Sequence, residues 1–328
     1  GDPATQGNAL NYLGNVHLDL SQYQQAIEFY EQSLRIAREI GYWAGIHSSL
    51  GNLGVASAEL GHYQQAIDFL DQQLIIVGEV GDRAGKANTL GNLGNVYRLL
   101  GQEKKAIEYY KKALSITREI GDRAGEGFIL GNLGNVYLAL NQEQKAIEYY
   151  EEALSITREI GDQAVEGLAL GNLGSAYLKL GKYQQAANHY RQDLTIAREI
   201  GNRAEEGRAL GNLAIVERIL GRYQLSSQLL EQQLIITREI NDRTGEGISL
   251  ENLGILFETQ QQLDLAILFY KQSINLRKQI NQPLNDPVSR QSYLETVAKS
   301  YRRLENLLLE QGRQLEAQQV LELFKLQE

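Results

Sequence analysis

The chain has 328 residues, and its 43% hydrophobic content is spread without a long apolar run, which excludes a membrane span or a signal peptide and makes a soluble protein the expectation. Thirty-two Lys and Arg against 41 Asp and Glu give a net charge of −9, the wrong sign for gripping nucleic acid or an anionic membrane, so neither partner is expected. Without cysteine there is no disulfide, thiolate metal site or cysteine nucleophile; this fits a reducing compartment and a cytoplasmic location, while the lack of any methionine fits an excised piece of a longer chain.

Leu93-Gly94, Leu133-Gly134 and Leu173-Gly174 stand 40 residues apart, and Leu13-Gly14, Leu53-Gly54 and Leu253-Gly254 fall in the same column, with Leu213-Ala214 the one lapse. A strict period of this length means a stack of like units, and it overrides the two or three globular domains that length alone would imply. Seven repeats follow, at 1–40, 41–80, 81–120, 121–160, 161–200, 201–240 and 241–280. Gly1-Asp2 lies in the column of Gly81-Asp82 and Gly121-Asp122, so the chain is expected to begin at a joint with something before it.

Within each repeat the apolar residues recur at three and four positions, which predicts two amphipathic helices and no strand. The first helix begins after Asp82, Asp122, Asp162 or Asp242, N-cap residues able to accept orphan N–H groups, with Pro3 at the favoured first helical position of the opening repeat. It ends near Gly61, Gly101, Gly181 or Gly221. The second starts around Tyr23, Tyr63 or Glu103 and stops at Gly41, Gly81, Gly121, Gly161 and Gly201. Each helix is about 17 residues, roughly 26 Å at 1.5 Å per residue, and the short joints force antiparallel hairpins. Gly94, Gly134 and Gly174, with Ala66, Ala106, Ala146 and Ala186, stand where helices must approach closely, and Tyr110, Tyr150 and Tyr190 supply the opposing bulk. Looser packing is expected in the second repeat, with Ser57 and Leu70 in aromatic columns, and in the sixth, with Ala214, Glu217, Ser226 and Leu230 at motif positions.

The register breaks after Ile280. Pro283 and Pro287 predict a bend over 281–290, and an eighth, degenerate and truncated hairpin follows over 291–328, with Leu304 in the leucine column, Glu305 in place of the glycine, Gly312 closing the first helix and Ala317 in the alanine slot.

Leu133, Gly134, Tyr137, Ala146, Tyr150 and Ala153 together resemble the tetratricopeptide repeat motif, and the resemblance covers essentially the whole chain. The 40-residue period and the Leu-Gly-Asn triplets, such as Leu93-Gly94-Asn95 and Leu133-Gly134-Asn135, look like the long-repeat branch of the LGN/Pins spindle adaptors. The final stretch, Tyr301 through Leu323, looks like the junction that precedes the caspase-like domain of bacterial CHAT proteins, a domain absent from these residues. The expected fold is an all-α, right-handed superhelical solenoid of seven regular helix hairpins plus one degenerate repeat.

Catalytic chemistry finds no constellation. His17, His47, His62 and His189 occupy unrelated columns with no metal-ligand or nucleophile spacing, and His17 sits where Tyr97, Tyr137 and Tyr177 stand, the place of a packed ring. The recurrent acids are explained as caps and solvated helix faces. No catalytic residue, metal or cofactor is therefore expected, and binding of another protein or peptide is the leading function.

The resemblance implies that first helices line a concave wall. Their inward positions would be the asparagine column Asn52, Asn92, Asn132, Asn172, Asn212 and Asn252 and, one turn on, Asn15, Asn95 and Asn135. An asparagine amide both donates and accepts, so such a ladder can pair with the main chain of an extended peptide; the alternative is hydrogen bonding between neighbouring helices. Phe128, Leu138, Leu168 and Leu178 share that face and would anchor an apolar side chain if exposed, while Arg98, Lys179, Arg208 and Arg218 would favour an acidic ligand. Glycine at Gly91, Gly131, Gly171 and Gly211, where the carboxylate-clamp members of the resembled family need Lys, excludes that clamp and is expected to open the groove floor. A regulatory arm of a caspase-like peptidase, or a structural or self-associating solenoid, are the rival readings.

Overall fold

Left-handed stops recur about every twenty residues and side-chain caps about every forty, and they cut the chain into helices of nearly equal length. The computed structural model describes residues 2–281 and 287–325, and no side chain in 280–297 or at 325. Among the described residues there are sixteen helices and no strand. The chain divides into two compact units within the ninth helix, Gly1–Val165 and Glu166–Glu328.

The N-terminal unit holds α1 (Pro3–Asp19), α2 (Tyr23–Glu39), α3 (Trp43–Glu59), α4 (Tyr63–Val80), α5 (Arg83–Leu99), α6 (Glu103–Ile120), α7 (Arg123–Ala139) and α8 (Glu143–Ile160). Most of α9 (Gln163–Lys179) belongs to the C-terminal unit, with α10 (Tyr183–Glu199), α11 (Arg203–Ile219), α12 (Tyr223–Glu239), α13 (Arg243–Thr259), α14 (Leu263–Asn281), α15 (Pro287–Glu310) and α16 (Gln314–Lys325). Odd and even helices pair as antiparallel hairpins, which is the helical-repeat solenoid that the period predicts. The predicted bend at 281–290 falls largely on residues outside the described ones; α15 begins at Pro287.

The capping acids act as expected. Asp82, Asp122 and Asp242 each accept the N–H three residues on, at 2.8, 2.9 and 2.8 Å, and Asn202 does the same for Glu205 at 3.1 Å. Gly101 and Gly121 turn the chain with φ of +66° and +71°, a conformation that costs glycine nothing. Ser21, Asn141, Asn241 and Gln261 hold it at other joints despite their Cβ atoms.

The hairpins close on glycine. Tyr30, Tyr110, Tyr150, Tyr190 and Tyr270 are fully buried, and their rings lie against Gly14, Gly94, Gly134, Gly174 and Gly254. A Cβ built on Gly94 would sit 2.6 Å from the Tyr110 ring, inside any real contact distance. Further along each hairpin a second pair of rings stacks face to face, as in Tyr97 on Tyr109 at 5.1 Å and Tyr137 on Tyr149 at 5.2 Å, with Lys105 and Lys145 over the outer faces of Tyr97 and Tyr137.

Ion pairs tie consecutive hairpins together in a register that repeats in both units. The buried Glu126 carboxylate takes Arg118 at 2.7 Å and Arg123 at 2.6 Å, and Glu206 takes Arg198 at 2.9 Å and Arg203 at 2.5 Å. Burial pushes the Glu126 carboxyl up, and hydrogen bonds from the two guanidinium groups outweigh that, so it titrates below the usual carboxylate range. The acids of Gly-Asp-Arg are thus the expected caps and Glu119 and Glu159 of Arg-Glu-Ile lie on exposed helix faces, while Glu126 and Glu206 form a separate, buried set.

In the second repeat Leu70 takes the tyrosine column, is fully buried and closes on Gly54, where a Cβ would stand 2.6 Å from its Cγ, and a cavity of about 240 Å³ remains beside this pair toward the third repeat. Around the sixth repeat's substituted positions the space is filled instead. Glu217 is fully buried between Arg191 and Arg222, and the Ser226 hydroxyl donates to the Ala214 carbonyl at 2.8 Å. At the chain's end Leu304, Leu307, Leu308, Ala317 and Val320 pack on Ala266, Ile267, Tyr270 and Ile274 of α14.

Candidate peptide-binding face

The two asparagine columns on the first helices have different environments. In the later column a buried tyrosine hydroxyl needs an acceptor, and the asparagine supplies it: Tyr30 donates to Asn15 Oδ1 at 2.8 Å, Tyr110 to Asn95 at 2.6 Å and Tyr150 to Asn135 at 2.7 Å. In the fifth repeat the Ser175 and Tyr190 hydroxyls meet at 3.0 Å, and in the seventh Glu258 accepts from Tyr270 at 2.5 Å. Asn95 and Asn135 thus lock hairpins through their carbonyl oxygens.

The earlier column is half-buried on the exposed side of the first helices. Asn52 reaches back to Asn15 Oδ1 at 3.3 Å, which is the helix-to-helix pairing of the alternative reading. Asn132 differs: its Nδ2 is buried and has no hydrogen-bond partner among the described residues. Beside it Gly131 has nothing within 4 Å of where a Cβ would stand, and Phe128, one turn earlier on the same face of α7, is 54% exposed.

Two cavities mark this face in the N-terminal unit. One of about 530 Å³ is lined by Asn8, Asn11, Asn15, Asn52, Asn88 and Asn92, among others. The smaller one, between the second and third repeats, is lined by Asn92, Asn95 and Arg98 of α5. In the C-terminal unit a cavity of about 350 Å³ gathers Arg208, Asn212 and Asn252 of α11 and α13 around Gln233 of α12. Asn172, Leu168 and Leu178 lie on α9; Leu168 is 47% exposed and Leu178 half-buried, as is Leu138 on α7 of the other unit. Arg218 is half-buried, and burial and the neighbouring Arg303 lower its pKa. Arg208 is held by Glu205 and lies 3.6 Å from Asp193, so it is less available to an acidic ligand than its sequence position implies.

The open groove floor expected from the glycine column is corrected at most positions. The side chain of Gln73 occupies the space over Gly51, Arg208 and Asp193 that over Gly171, and Gln233 that over Gly211, while Ile129 touches the space over Gly91; Gly131 alone of these has free space. Of the residues that fill the floor, Gln73, Asp193 and Gln233 belong to one column of second helices, whose other members are Ser33, Ala113, Ala153 and Ser273, while Ile129 and Arg208 come from the first helices α7 and α11. Sequence reasoning missed them, although polar side chains standing where Ala113 and Ala153 stand are the signal.

Asp193 is fully buried with neither carboxylate oxygen in a hydrogen bond among the described residues. Burial, with the like charge of Glu205 second, pushes its carboxyl up to about 8 against the pull of Arg208. His17 stacks on Phe29 with ring centroids 5.0 Å apart, a packed ring as expected. Among the described residues no group of three or more His, Cys, Asp or Glu is placed to hold a metal ion, and no helix is long and apolar enough to cross a membrane.

The tetratricopeptide repeat family model matches residues 5–74, 45–119, 85–159, 126–199 and 205–279, and a second tetratricopeptide model matches 172–234. The chain belongs to the tetratricopeptide repeat family, whose fold is a protein-interaction scaffold of a generally non-enzymatic kind. No curated protein sequence matches it. Among solved structures it is similar to the signal transduction ATPase (STAND) with a tetratricopeptide repeat sensor from Pyrococcus horikoshii, at 19% identity and TM-score 0.69 over 98% of this chain and 47% of that one, so it spans about half that protein's length. It is also similar to BtubC from P. vanneervenii, at 21% identity and TM-score 0.61 over 67% of this chain and 92% of that one. A Rap protein complexed with Competence and Sporulation Factor matches at 17% identity and TM-score 0.59 over 95% and 99% of the two chains.

Proposed function

We propose that the scaffold receives an extended or partly helical segment of another polypeptide on the face of its first helices, and that the earlier asparagine column does the pairing. The carrying observation is the Asn132 amide, a buried donor with no partner beside the free space at Gly131. A buried donor left unpaired costs about 1–3 kcal/mol, which a ligand's main-chain carbonyl would recover on arrival. Phe128 offers an apolar anchor one turn away, and Arg98 and Arg218 would favour acidic residues in the segment, with Asn92, Asn172, Asn212, Leu138, Leu168 and Leu178 extending the face within each unit. The Rap structure with a bound factor supports this use of the fold.

A second reading, that the array senses a ligand on behalf of a further domain, is favoured by the STAND relative, in which such repeats are the sensor.

Panning a random-peptide display library on the intact chain tests the first reading, with counter-selection on the Phe128→Asp, Asn132→Ala variant. Peptides enriched on the wild type and absent from the folded variant are expected. Enrichment indifferent to both substitutions contradicts the proposal.

A further inference from the structure

Gln73 and Gln233 stand 160 residues apart in the same column, one in each unit, yet their amides are satisfied to different degrees. Gln73 donates through Nε2 to the His47 carbonyl at 3.0 Å, and its Oε1 lies 3.0 Å from the Thr89 hydroxyl, whose single proton it shares with the Gly85 carbonyl at 2.8 Å. The residue matching Thr89 in the C-terminal unit is Ser249, whose hydroxyl keeps the matching bond, to the Gly245 carbonyl at 2.8 Å, but makes none to Gln233, and the residue matching His47 is Gly207. Gln233 is only 6% exposed, and its Oε1 has no hydrogen-bond partner among the described residues. The Gln233 amide sits over Gly211 in the wall of the cavity of about 350 Å³, whose other polar walls are Arg208, Asn212, Asn252, Thr237, Asp242 and Thr244.

The chemistry of a complementary group follows from these walls. It must bring an N–H or O–H donor to Gln233 Oε1, because a buried acceptor is costly to leave unmade. It must also accept from the amides of Asn212 and Asn252 or from Arg208. A carboxylate has no proton to give Gln233 and would enter beside Asp242 and Glu205, with Arg208 already committed to Glu205. An ammonium would meet Arg208. A neutral primary carboxamide carries both a donor pair and an acceptor on one planar group.

We propose that this cavity is a specificity pocket for the carboxamide side chain of a Gln or Asn in the bound polypeptide. The inference rests on the peptide-binding reading above, and adds a side-chain preference to main-chain pairing.

The test is an NMR titration of the intact chain that follows the side-chain amides of Gln233, Asn212 and Gln73. The probes are alanine peptides with one central Gln, Glu or Met, capped by acetyl and N-methylamide so that no other primary carboxamide is present. The Gln peptide should shift Gln233 and Asn212 saturably and leave Gln73 in place. The Glu and Met peptides should bind about tenfold more weakly, the factor that loss of one satisfied polar contact gives. Gln233→Met, which keeps the shape and removes the acceptor, should abolish the response with the thermal transition retained, while Gln73→Met should not affect it. Equal response to all three peptides, a response that persists in Gln233→Met, or no shift at any soluble concentration overturns the proposal. Display-selected peptides that still depend on Asn132 while this titration fails would remove the pocket and leave the groove; loss of both would remove the groove.

Discussion

Gly94→Ala is expected to melt about 2–4 °C below the wild type, although alanine is the better helix former by about 1 kcal/mol. The added methyl would stand 2.6 Å from the Tyr110 ring, which is fully buried and cannot swing away, and overpacking of this kind costs about 1–3 kcal/mol. The chain itself contains the compensated pair: in the sixth repeat Ala214 takes the glycine's column and Leu230 the tyrosine's, both buried. Gly94→Ala should therefore cost at least about 1 kcal/mol less in a Tyr110→Leu background, read as the coupling in a double-mutant cycle of thermal unfolding. A Gly94→Ala protein as stable as the wild type would show that the hairpins do not close on glycine.

Asp193 should make the C-terminal unit less stable as pH rises through neutrality. Its folded-state carboxyl is raised to about 8, against about 3.9 for an unfolded aspartate, with burial the larger cause and Glu205 the second. A folded pKa above the unfolded one means that the contribution is fully present below about pH 4 and is lost as pH climbs through about 8, because the unfolded chain releases the proton first. Across that window of about four pKa units, at 1.36 kcal/mol each, the wild type should lose on the order of 5 kcal/mol relative to Asp193→Asn, or about 10–20 °C in melting temperature. Parallel melting curves for the two proteins from pH 5 to pH 9 would show that the carboxyl is ionised in the fold.

The hairpin architecture was legible because its causes are local. Asp82 and Asp122 stop at the position where a cap must be, Gly101 and Gly121 at the position where φ turns positive, and Gly94 faces Tyr110 because two helices can approach only where a side chain is missing. The two asparagine columns were harder, since Asn132 and Asn135 are equally spaced on one face and nothing in helical periodicity separates them. A cross-repeat signal does. Asn15, Asn95 and Asn135 accompany Tyr30, Tyr110 and Tyr150, whereas Val55 and Ile215 stand in that column where Leu70 and Leu230 carry no hydroxyl. There the asparagine departs with the group that it accepts from, while in the fifth and seventh repeats Ser175 and Ile255 hold the column and the Tyr190 and Tyr270 hydroxyls meet Ser175 and Glu258. Gln233 and Asp193 were illegible for a different reason: their burial depends on glycines in a neighbouring helix, Gly211 and Gly171, and that proximity is tertiary.

The division of labour between the two columns is the central claim, and calorimetry of a display-selected peptide against Asn132→Ala and Asn135→Ala, with melting temperatures measured in parallel, tests it directly. Asn132→Ala should weaken binding at least tenfold, about 1.4 kcal/mol, with the melting temperature held or raised. Asn135→Ala should lower the melting temperature by a few degrees, because the buried Tyr150 hydroxyl loses its acceptor, and should leave most of the affinity. Binding unchanged in Asn132→Ala, or a melting loss there as large as in Asn135→Ala, would contradict the account and make both columns part of the architecture.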